Sequence, residues 1–343
     1  MNKDLILSFY RELQSVYDDG LKLSTGKSFN LSFAKHTFKA HYLDSKTDEF
    51  YSPALSHLML PSSTNHDLDV YVMEGKTTGL NLPAPCWDWN KVHPHGEIYR
   101  DEELILTFES WCGVLRMYNR IEQKAYIWIR SISDLPQWMR SFPLRSIVDW
   151  YFEPTGIQPV HSGGIALGQN GVMLTGKGGS GKSSTCLSCL NHSELKYLGD
   201  DFMLVDCESG KDAYSLYNVA KVEFDNLSRF KFLEGYKKDF KVDDEKYQIF
   251  INQIMPDKLT NEFNIDAIFL PKITGSKSGR LVKTDSSNAL MALAPSTISL
   301  LKGNRERTFS KVSSLVKKTP IYFLELSTEF ERNPEIIYKY LES

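Results

Sequence analysis

The sequence predicts an α/β protein of two domains: a mainly β domain over residues 1–155 and a domain of alternating strands and helices over 156–343. Three observations support this prediction. The chain has 343 residues, more than one hydrophobic core usually organises. Polar and apolar residues alternate through much of residues 28–130, as they do in half-buried strands. Beyond Gly156, short apolar runs alternate with helical patterns, an arrangement typical of α/β layer folds.

The first domain is predicted to begin with a helix and to continue with strands. Over residues 4–18 apolar residues recur at helical spacing, at Leu5, Phe9, Leu13 and Val16. Runs rich in β-branched, aromatic and aliphatic residues then predict four strands, over 67–73, 104–108, 114–118 and 125–129. A helix over 144–152 follows and is closed by Pro154 and Gly156, so we place the domain boundary after it.

Composition excludes several classes of protein. Lys and Arg number 40 and Asp and Glu 43, so no overall positive field would draw the chain to nucleic acid or to an anionic membrane. No apolar run reaches the ~18 residues that a membrane helix needs, and the first residues do not resemble a signal peptide. Five irregularly spaced cysteines do not indicate a disulfide framework. We therefore expect a cytoplasmic protein without nucleic-acid or membrane partners.

A glycine-rich loop carries the strongest chemical signal. An apolar strand over 171–175 runs into Gly176-Lys177-Gly178-Gly179-Ser180-Gly181-Lys182-Ser183, which matches G-x-x-x-x-G-K-[ST] in full. Glycines let consecutive backbone N–H groups point into one hollow, and the helix expected over 181–190 directs its positive end there. Lys182 would contact the β and γ phosphates, and Ser183 would bind the bridging Mg²⁺. The loop, extended by Ser184, therefore predicts a site for a nucleoside di- or triphosphate; a turn without a ligand is the alternative.

Two carboxylates, Asp200 and Asp201, follow the loop helix and lie between two apolar runs. Because the carboxyl ends of parallel strands converge where a phosphate loop lies, these side chains could reach a bound γ-phosphate and its metal. One could hold the metal while the other accepts a proton from an attacking hydroxyl. A polar turn is the alternative, since Gly-Asp favours turns. Beside a phosphate loop we favour the catalytic interpretation.

The sequence here resembles the HPr serine kinase/phosphorylase family, whose P-loop fold is similar to that of phosphoenolpyruvate carboxykinase. The resemblance rests on the loop, on His161 placed 21 residues before Lys182, and on Asp200 placed 18 residues after it. It covers residues 156–326 and implies an ATP- and Mg²⁺-dependent kinase. On this resemblance Lys182 and His161 are catalytic, Asp200 is the general base, and Asp201 lies near the metal with Ser183. Family members are commonly oligomeric, so a homo-oligomer is implied as well.

The chain departs from the family in one segment. Bifunctional members carry a metal-binding glutamate in a Glu-x-Arg-Gly-Leu-Gly type motif, whereas residues 215–223 contain no such motif, although Glu223 or Asn218 could substitute. The departure favours a kinase-only branch, some members of which modify ribosomally made peptides such as lasso-peptide precursors. The acceptor would be a serine or similar hydroxyl of a peptide or protein. A small-molecule kinase and a non-catalytic nucleotide sensor are the alternatives.

A basic stretch near the carboxyl terminus is a weaker feature; it contains Arg305, Arg307, Lys311, Lys317 and Lys318. On the resemblance, one of its arginines could reach the transferred phosphate, and the lysines could receive an acidic peptide. The alternative is a solvated helix face before a strand over 321–324.

Two further groups of residues could bind metal, and we expect both to be structural. Trp89, His93 and His95 lie in an aromatic-rich stretch where a metal would need ligands from elsewhere. Cys186 and Cys189 fall on the inward stripe of the loop helix, so we expect them in the core.

Overall fold

The computed structural model describes residues 2–88, 96–243, 245–301 and 303–343, so Trp89, His93 and His95 lie outside the described residues. The chain divides into two compact units, Met1–Pro53 with Met59–Pro143, and Ala54–Leu58 with Leu144–Ser343. The sequence places the division after residue 155. The structure places it before the helix Arg145–Phe152, because that helix packs against the strand Ile157–Val160 of the second unit.

The first unit contains three helices and eight strands among the described residues. In chain order they are α1 (Lys3–Leu23), β1 (Ser28–Phe33), β2 (His36–Tyr42), α2 (Ser45–Leu55), β3 (Met59–Leu60), β4 (Leu68–Glu74), α3 (Gly75–Thr78), β5 (Glu97–Arg100), β6 (Leu104–Glu109), β7 (Val114–Asn119) and β8 (Lys124–Ile129). The strands form one sheet in the order β3-β1-β2-β4-β8-β7-β6-β5. The inward stripe of α1 packs in one apolar cluster with β6, β7 and β8. The predicted helix and all four predicted strands are therefore present.

The second unit alternates strands and helices, as the sequence predicts. Its elements are α4 (Arg145–Phe152), β9 (Ile157–Val160), β10 (Gly163–Leu167), β11 (Asn170–Leu174), α5 (Lys182–Cys189), β12 (Lys196–Gly199), β13 (Met203–Asp206), β14 (Asp212–Ser215), β15 (Val219–Glu223), β16 (Lys241–Val242), β17 (Lys246–Phe250), α6 (Ile251–Ile254), β18 (Glu262–Ile273), β19 (Arg280–Lys283), α7 (Ser286–Leu300), α8 (Arg305–Lys318), β20 (Ile321–Leu326) and α9 (Arg332–Glu342). The chain is an α/β protein.

The main sheet of the second unit is mixed. Its strands follow the order β12-β10-β11-β18-β14-β13-β9, and β20 pairs with both β18 and β19. Among the described strands of this sheet, only β11 with β18 and β18 with β20 are parallel pairs, so the parallel sheet expected from the sequence is wrong in detail. Strands β15, β17 and β16 form a separate antiparallel sheet, called the small sheet below.

Apolar residues cover both faces of the main sheet. Along β11, Val172 and Leu174 face one core and Met173 faces the other, as the two-residue period of a strand requires. Helix α5 belongs to the first of these cores, where Cys186 and Cys189 are buried as expected. No disulfide joins the five cysteines, all of which the structure describes. Nor does any helix within the described ranges combine the length and apolarity needed to cross a bilayer.

Candidate active site

Three chain segments meet at one edge of the main sheet because β10 runs antiparallel to both of its neighbours. Gly163 of β10 pairs with Leu174 of β11, and Gly164 pairs with Gly199 of β12. The carboxyl ends of β11 and β12 therefore lie at the same edge as the amino end of β10. The glycine-rich loop (residues 176–183), the acidic pair Asp200-Asp201 and His161 are brought together here. The convergence expected of a parallel sheet is thus achieved by a mixed one.

The glycine-rich loop turns sharply between β11 and α5. Gly179 and Gly181 have φ values of 78° and 97°, in the left-handed region that favours glycine. Gly181 precedes the first residue of α5, and a Cβ atom there would lie 2.5 Å from Leu326 Cδ1. The hydroxyl of Ser180 is buried and has no hydrogen-bond partner among the described residues. The first N–H groups of α5 also lack partners within the helix, as at any helix start.

Lys182 lies at the centre of the site, with only 7% of its side chain exposed. Its Nζ donates to the backbone oxygen of Asp200 at 3.2 Å and to Asp201 Oδ1 at 3.3 Å, and lies 3.8 Å from Asp200 Oδ1. Burial acts to lower the pKa of Lys182, but the two carboxylates outweigh burial and raise it. The lysine is therefore positively charged at neutral pH.

The two aspartates occupy different environments. Asp200 is 1% exposed, and Asp201 is 23% exposed and faces the cleft. Burial raises the pKa of Asp200 despite Lys182 and a hydrogen bond with Ser183, and its Oδ1 accepts no hydrogen bond from the described residues. For Asp201, burial acts in the same direction but is outweighed by Lys182 and by other polar neighbours, so its pKa lies well below its usual range. Asp201 is therefore the ionised carboxylate that reaches the cleft.

His161 and Lys221 complete the surroundings of Asp201. His161 Nε2 lies 3.2 Å from Asp201 Oδ1 and 3.4 Å from Lys182 Nζ, so this nitrogen can carry a proton toward the carboxylate or accept one from the lysine. Lys221 Nζ lies 3.4 Å from Asp201 Oδ2. Lys221 is not among the residues predicted from sequence, because this lysine lies on the small sheet and belongs to no motif.

These residues open into a cleft of about 750 Å³. One wall comes from the small sheet and the segment that follows β15, and it presents polar and charged side chains. Further lining comes from the ends of β18 and β20 and the segment after β20, and it includes Ile273, Leu326 and Phe330. The cleft is therefore lined by both charged and apolar side chains.

The structure separates the predicted site residues into three groups. His161, Asp201 and every loop residue from Gly176 to Ser184 line the cleft, as does Glu223. Asp200 lies beneath the lining, next to Lys182 and Ser183. Asn218 is fully buried elsewhere, where its Nδ2 donates to the backbone oxygen of Ala54.

The basic stretch does not reach the cleft. Arg305 and Arg307 lie on α8, outside the lining residues. Lys311 Nζ donates to the backbone oxygens of Phe152, Glu153 and Ile157, and Lys318 Nζ donates to that of Glu208. At least two of the lysines therefore stabilise the fold.

The fold and site together define an α/β protein with a glycine-rich loop, a buried lysine at its end and paired carboxylates at one sheet edge. Comparison with known proteins then gives a more specific relationship. The chain is 23% identical over 230 residues to the HPr kinase/phosphorylase of Mycoplasma mycoides subsp. mycoides, covering 62% of this chain and 72% of the relative. This similarity supports the divergent, HPr kinase-like resemblance that the sequence motifs indicate.

A solved structure, that of the Hpr(Ser) kinase/phosphatase from Coxiella burnetii, is also similar. The match covers 53% of this chain and 95% of the other, at 10% identity and a TM-score of 0.31. No known family profile matches the chain.

Proposed function

We propose that this chain is an ATP- and Mg²⁺-dependent kinase that transfers the γ-phosphoryl group to a serine or similar hydroxyl of a peptide or protein. The observation that carries the proposal is the meeting of the glycine-rich loop, Lys182 and the ionised Asp201 in one cleft. The sequence similarity to an HPr kinase/phosphorylase supports phosphoryl transfer to a protein. The absence of the family's glutamate motif supports kinase over phosphorylase activity.

The loop fits a phosphate group. Its positive-φ glycines shape a turn without Cβ atoms, and the Ser180 hydroxyl lacks a hydrogen-bond partner among the described residues. Lys182 is charged and held at the base of the cleft, where phosphate oxygens could replace the carboxylates as its partners. Phosphoryl transfer requires chiefly positioning and neutralisation of charge, and these groups supply both.

The donor set also fits a magnesium ion. Ser183 and Asp200 offer hard oxygen atoms next to the loop. No group of three or more His, Cys, Asp or Glu side chains in the described ranges is arranged to hold a metal by itself, so phosphate oxygens and water would complete the coordination. Bound Mg²⁺ would neutralise phosphate charge during transfer.

The cleft supports a different assignment of the two carboxylates from the one that the family resemblance implies. A general base must lie within hydrogen-bond reach of the proton that it accepts. Asp201 faces the cleft and is ionised, whereas Asp200 is buried beside Ser183. We therefore assign Asp201 to the acceptor hydroxyl and Asp200 to the metal side. The hydroxyl oxygen would bond to the γ-phosphorus as the bond to the departing ADP breaks, and its proton would pass to Asp201, with His161 Nε2 adjacent to stabilise it.

The proposal is tested by incubating the protein with γ-labelled ATP and peptide and metabolite libraries. We expect stable phosphoserine on a polypeptide, and we expect Lys182→Ala to abolish it. Label on small hydroxy compounds alone would favour a small-molecule kinase. Nucleotide binding without transfer to any acceptor would instead indicate a nucleotide sensor and contradict the kinase proposal.

A further inference from the structure

The cleft carries more positive charge than the nucleotide site uses. Its lining includes five basic side chains in the described part of the chain, Lys177, Lys182, Lys221, Arg229 and Lys246, against the two acidic ones of Asp201 and Glu223. Lys177 and Lys182 belong to the loop, and Lys221 pairs with Asp201. Arg229 and Lys246 are the positive side chains of the described lining that remain.

Lys246 lies on the small sheet, and Arg229 lies in the segment that follows β15. Lys246 of β17 is directly opposite Glu223 of β15, and Lys221 is two residues before Glu223 on the same face. The carboxylate of Glu223 accepts a hydrogen bond from Asn226. Neither Arg229 nor Lys246 forms an ion pair with any residue that the structure describes. Both side chains line the same cleft as Lys221, so their charges are available to an anionic ligand.

A second cavity of about 940 Å³ adjoins the cleft. The two cavities share Arg229, Thr328 and Phe330, so Arg229 lies where they join. The second cavity continues along α5 past Ser188 and is lined by the aromatic residues Phe230 and Phe232. Beyond Arg229 and Lys231 its charged lining is acidic, from Glu329, Glu331 and Glu335. A small anionic alcohol would occupy only the cleft, whereas an extended polypeptide could occupy both cavities.

We propose that Arg229 and Lys246 bind carboxylates of a peptide segment that carries the acceptor hydroxyl, with the acidic residues of that segment confined to the cleft and the peptide chain continuing past Arg229 into the second cavity. This inference rests on the proposed kinase function and names its substrate class. The basic lysines of α8 are a poorer candidate for the same role, because Lys311 and Lys318 already donate to backbone oxygens.

Measurements of peptide binding test this docking site separately from catalysis. Three labelled peptides, with serine flanked by glutamates, glutamines or lysines, are titrated into the full chain loaded with a non-hydrolysable ATP analogue. We expect the glutamate peptide to bind about tenfold more tightly than the glutamine peptide, which corresponds to ~1.4 kcal/mol. R229S/K246S should remove this preference, R229K/K246R should keep it, and R229E/K246E should favour the lysine peptide. Nucleotide affinity and thermal midpoint should stay unchanged in R229K/K246R.

The matched control removes two charges outside both cavities, in K317S/K339S, and should bind as the wild type does. Equal binding of the three peptides, or an equal loss in the control, would overturn the inference. Tighter binding of D-glycerate, a small anionic alcohol, than of any peptide would overturn it as well. Transfer to serine without a charge preference would reject the inference and leave the kinase function standing. Charge-dependent binding without transfer would reject the kinase function and leave the docking site standing.

Discussion

Asp201 has partners from three separate elements. Its carboxylate lies within 3.4 Å of His161 before β10, Lys182 at the start of α5 and Lys221 on β15. These neighbours keep Asp201 ionised, whereas burial raises the pKa of Asp200. Adjacent residues of the same type thus acquire different protonation behaviour, a pattern that often marks acid–base sites.

Two substitutions separate the roles of the aspartates. Asp201→Asn should lower the rate of transfer by about 10²- to 10⁴-fold, because the acceptor proton loses its base, and should change nucleotide affinity little. Asp200→Asn should instead weaken Mg²⁺-dependent nucleotide binding, because a metal-side oxygen is lost. Single-turnover rates and titrations with a fluorescent nucleotide, with and without Mg²⁺, measure both effects. A variant Asp200→Asn that binds nucleotide normally but does not transfer would restore Asp200 as the base.

Two short elements of the second unit depend on particular backbone and hydrogen-bond geometry. One is the glycine-rich loop, in which Gly181 has a φ of 97° and Gly178 has no atom near the position of a Cβ. The other is the strap, residues Ala54–Leu58, which belongs to the second unit although it interrupts the sequence of the first. In the strap, His57 Nε2 donates to Ser215 Oγ at 2.7 Å, because that hydroxyl already donates to the backbone oxygen of Leu198.

The loop predicts a contrast between two glycine substitutions. Gly181→Ala should reduce nucleotide affinity by at least about tenfold and destabilise the protein by about 1–2 kcal/mol, because it adds left-handed strain and a clash with Leu326. Gly178→Ala should be tolerated in both respects, since its Cβ meets open space. Nucleotide titration and urea unfolding of the two variants check this. Equal affinities in the two variants would contradict the importance of the loop conformation.

The buried His57 of the strap predicts that the folded protein loses stability in acid. Burial lowers the pKa of His57 from 6.5 to about 3, so the folded protein keeps this imidazole neutral while the unfolded chain takes up a proton near pH 6.5. The stability that depends on neutral His57 is complete above pH 6.5 and is lost as the pH falls toward 3. Between about pH 7.5 and about pH 5 the loss should reach roughly 2 kcal/mol. Urea unfolding should show this loss in the wild type and a smaller one in His57→Gln; equal slopes would contradict it.

At the scale of the whole molecule, the charge is concentrated locally and the second unit is built from two separate stretches of sequence. The formal net charge is −3, yet the cleft lining in the described residues is positive. The second unit is also not one continuous stretch of sequence, since Asn218 uses its backbone N–H and its Nδ2 to bind the backbone oxygen of Ala54. A continuous carboxy-terminal fragment would therefore lack partners for buried polar groups.

A fragment of residues 144–343 tests this connectivity. It should unfold at a lower urea concentration than the second unit of the full chain, because each buried polar group left without a partner costs about 1–3 kcal/mol. Nucleotide binding should persist in the folded fragment, since every residue lining the cleft lies after residue 143. Urea titrations followed by circular dichroism and by nucleotide fluorescence measure the two properties. A fragment as stable as the full chain would show that the strap contributes little.

The sequence by itself determined the features that depend on neighbouring residues. The glycine-rich loop, the helix after it and four of the eight strands of the first unit follow from spacing, turn residues and two-residue alternation, and the structure contains all of them. The acidic pair could be identified because it follows the loop helix in sequence.

Only the tertiary structure decided which side chains share the cleft and how deeply each is buried. Asp200 and Asp201 are indistinguishable in sequence, and their different exposure results from the packing of β12 beside β10. Lys221 and Lys246 reach the cleft from the small sheet, Arg229 reaches it from the segment after β15, and the strap joins the second unit across more than a hundred intervening residues. Burial and long-range pairing depend on the whole chain, so no local pattern of residues contains them.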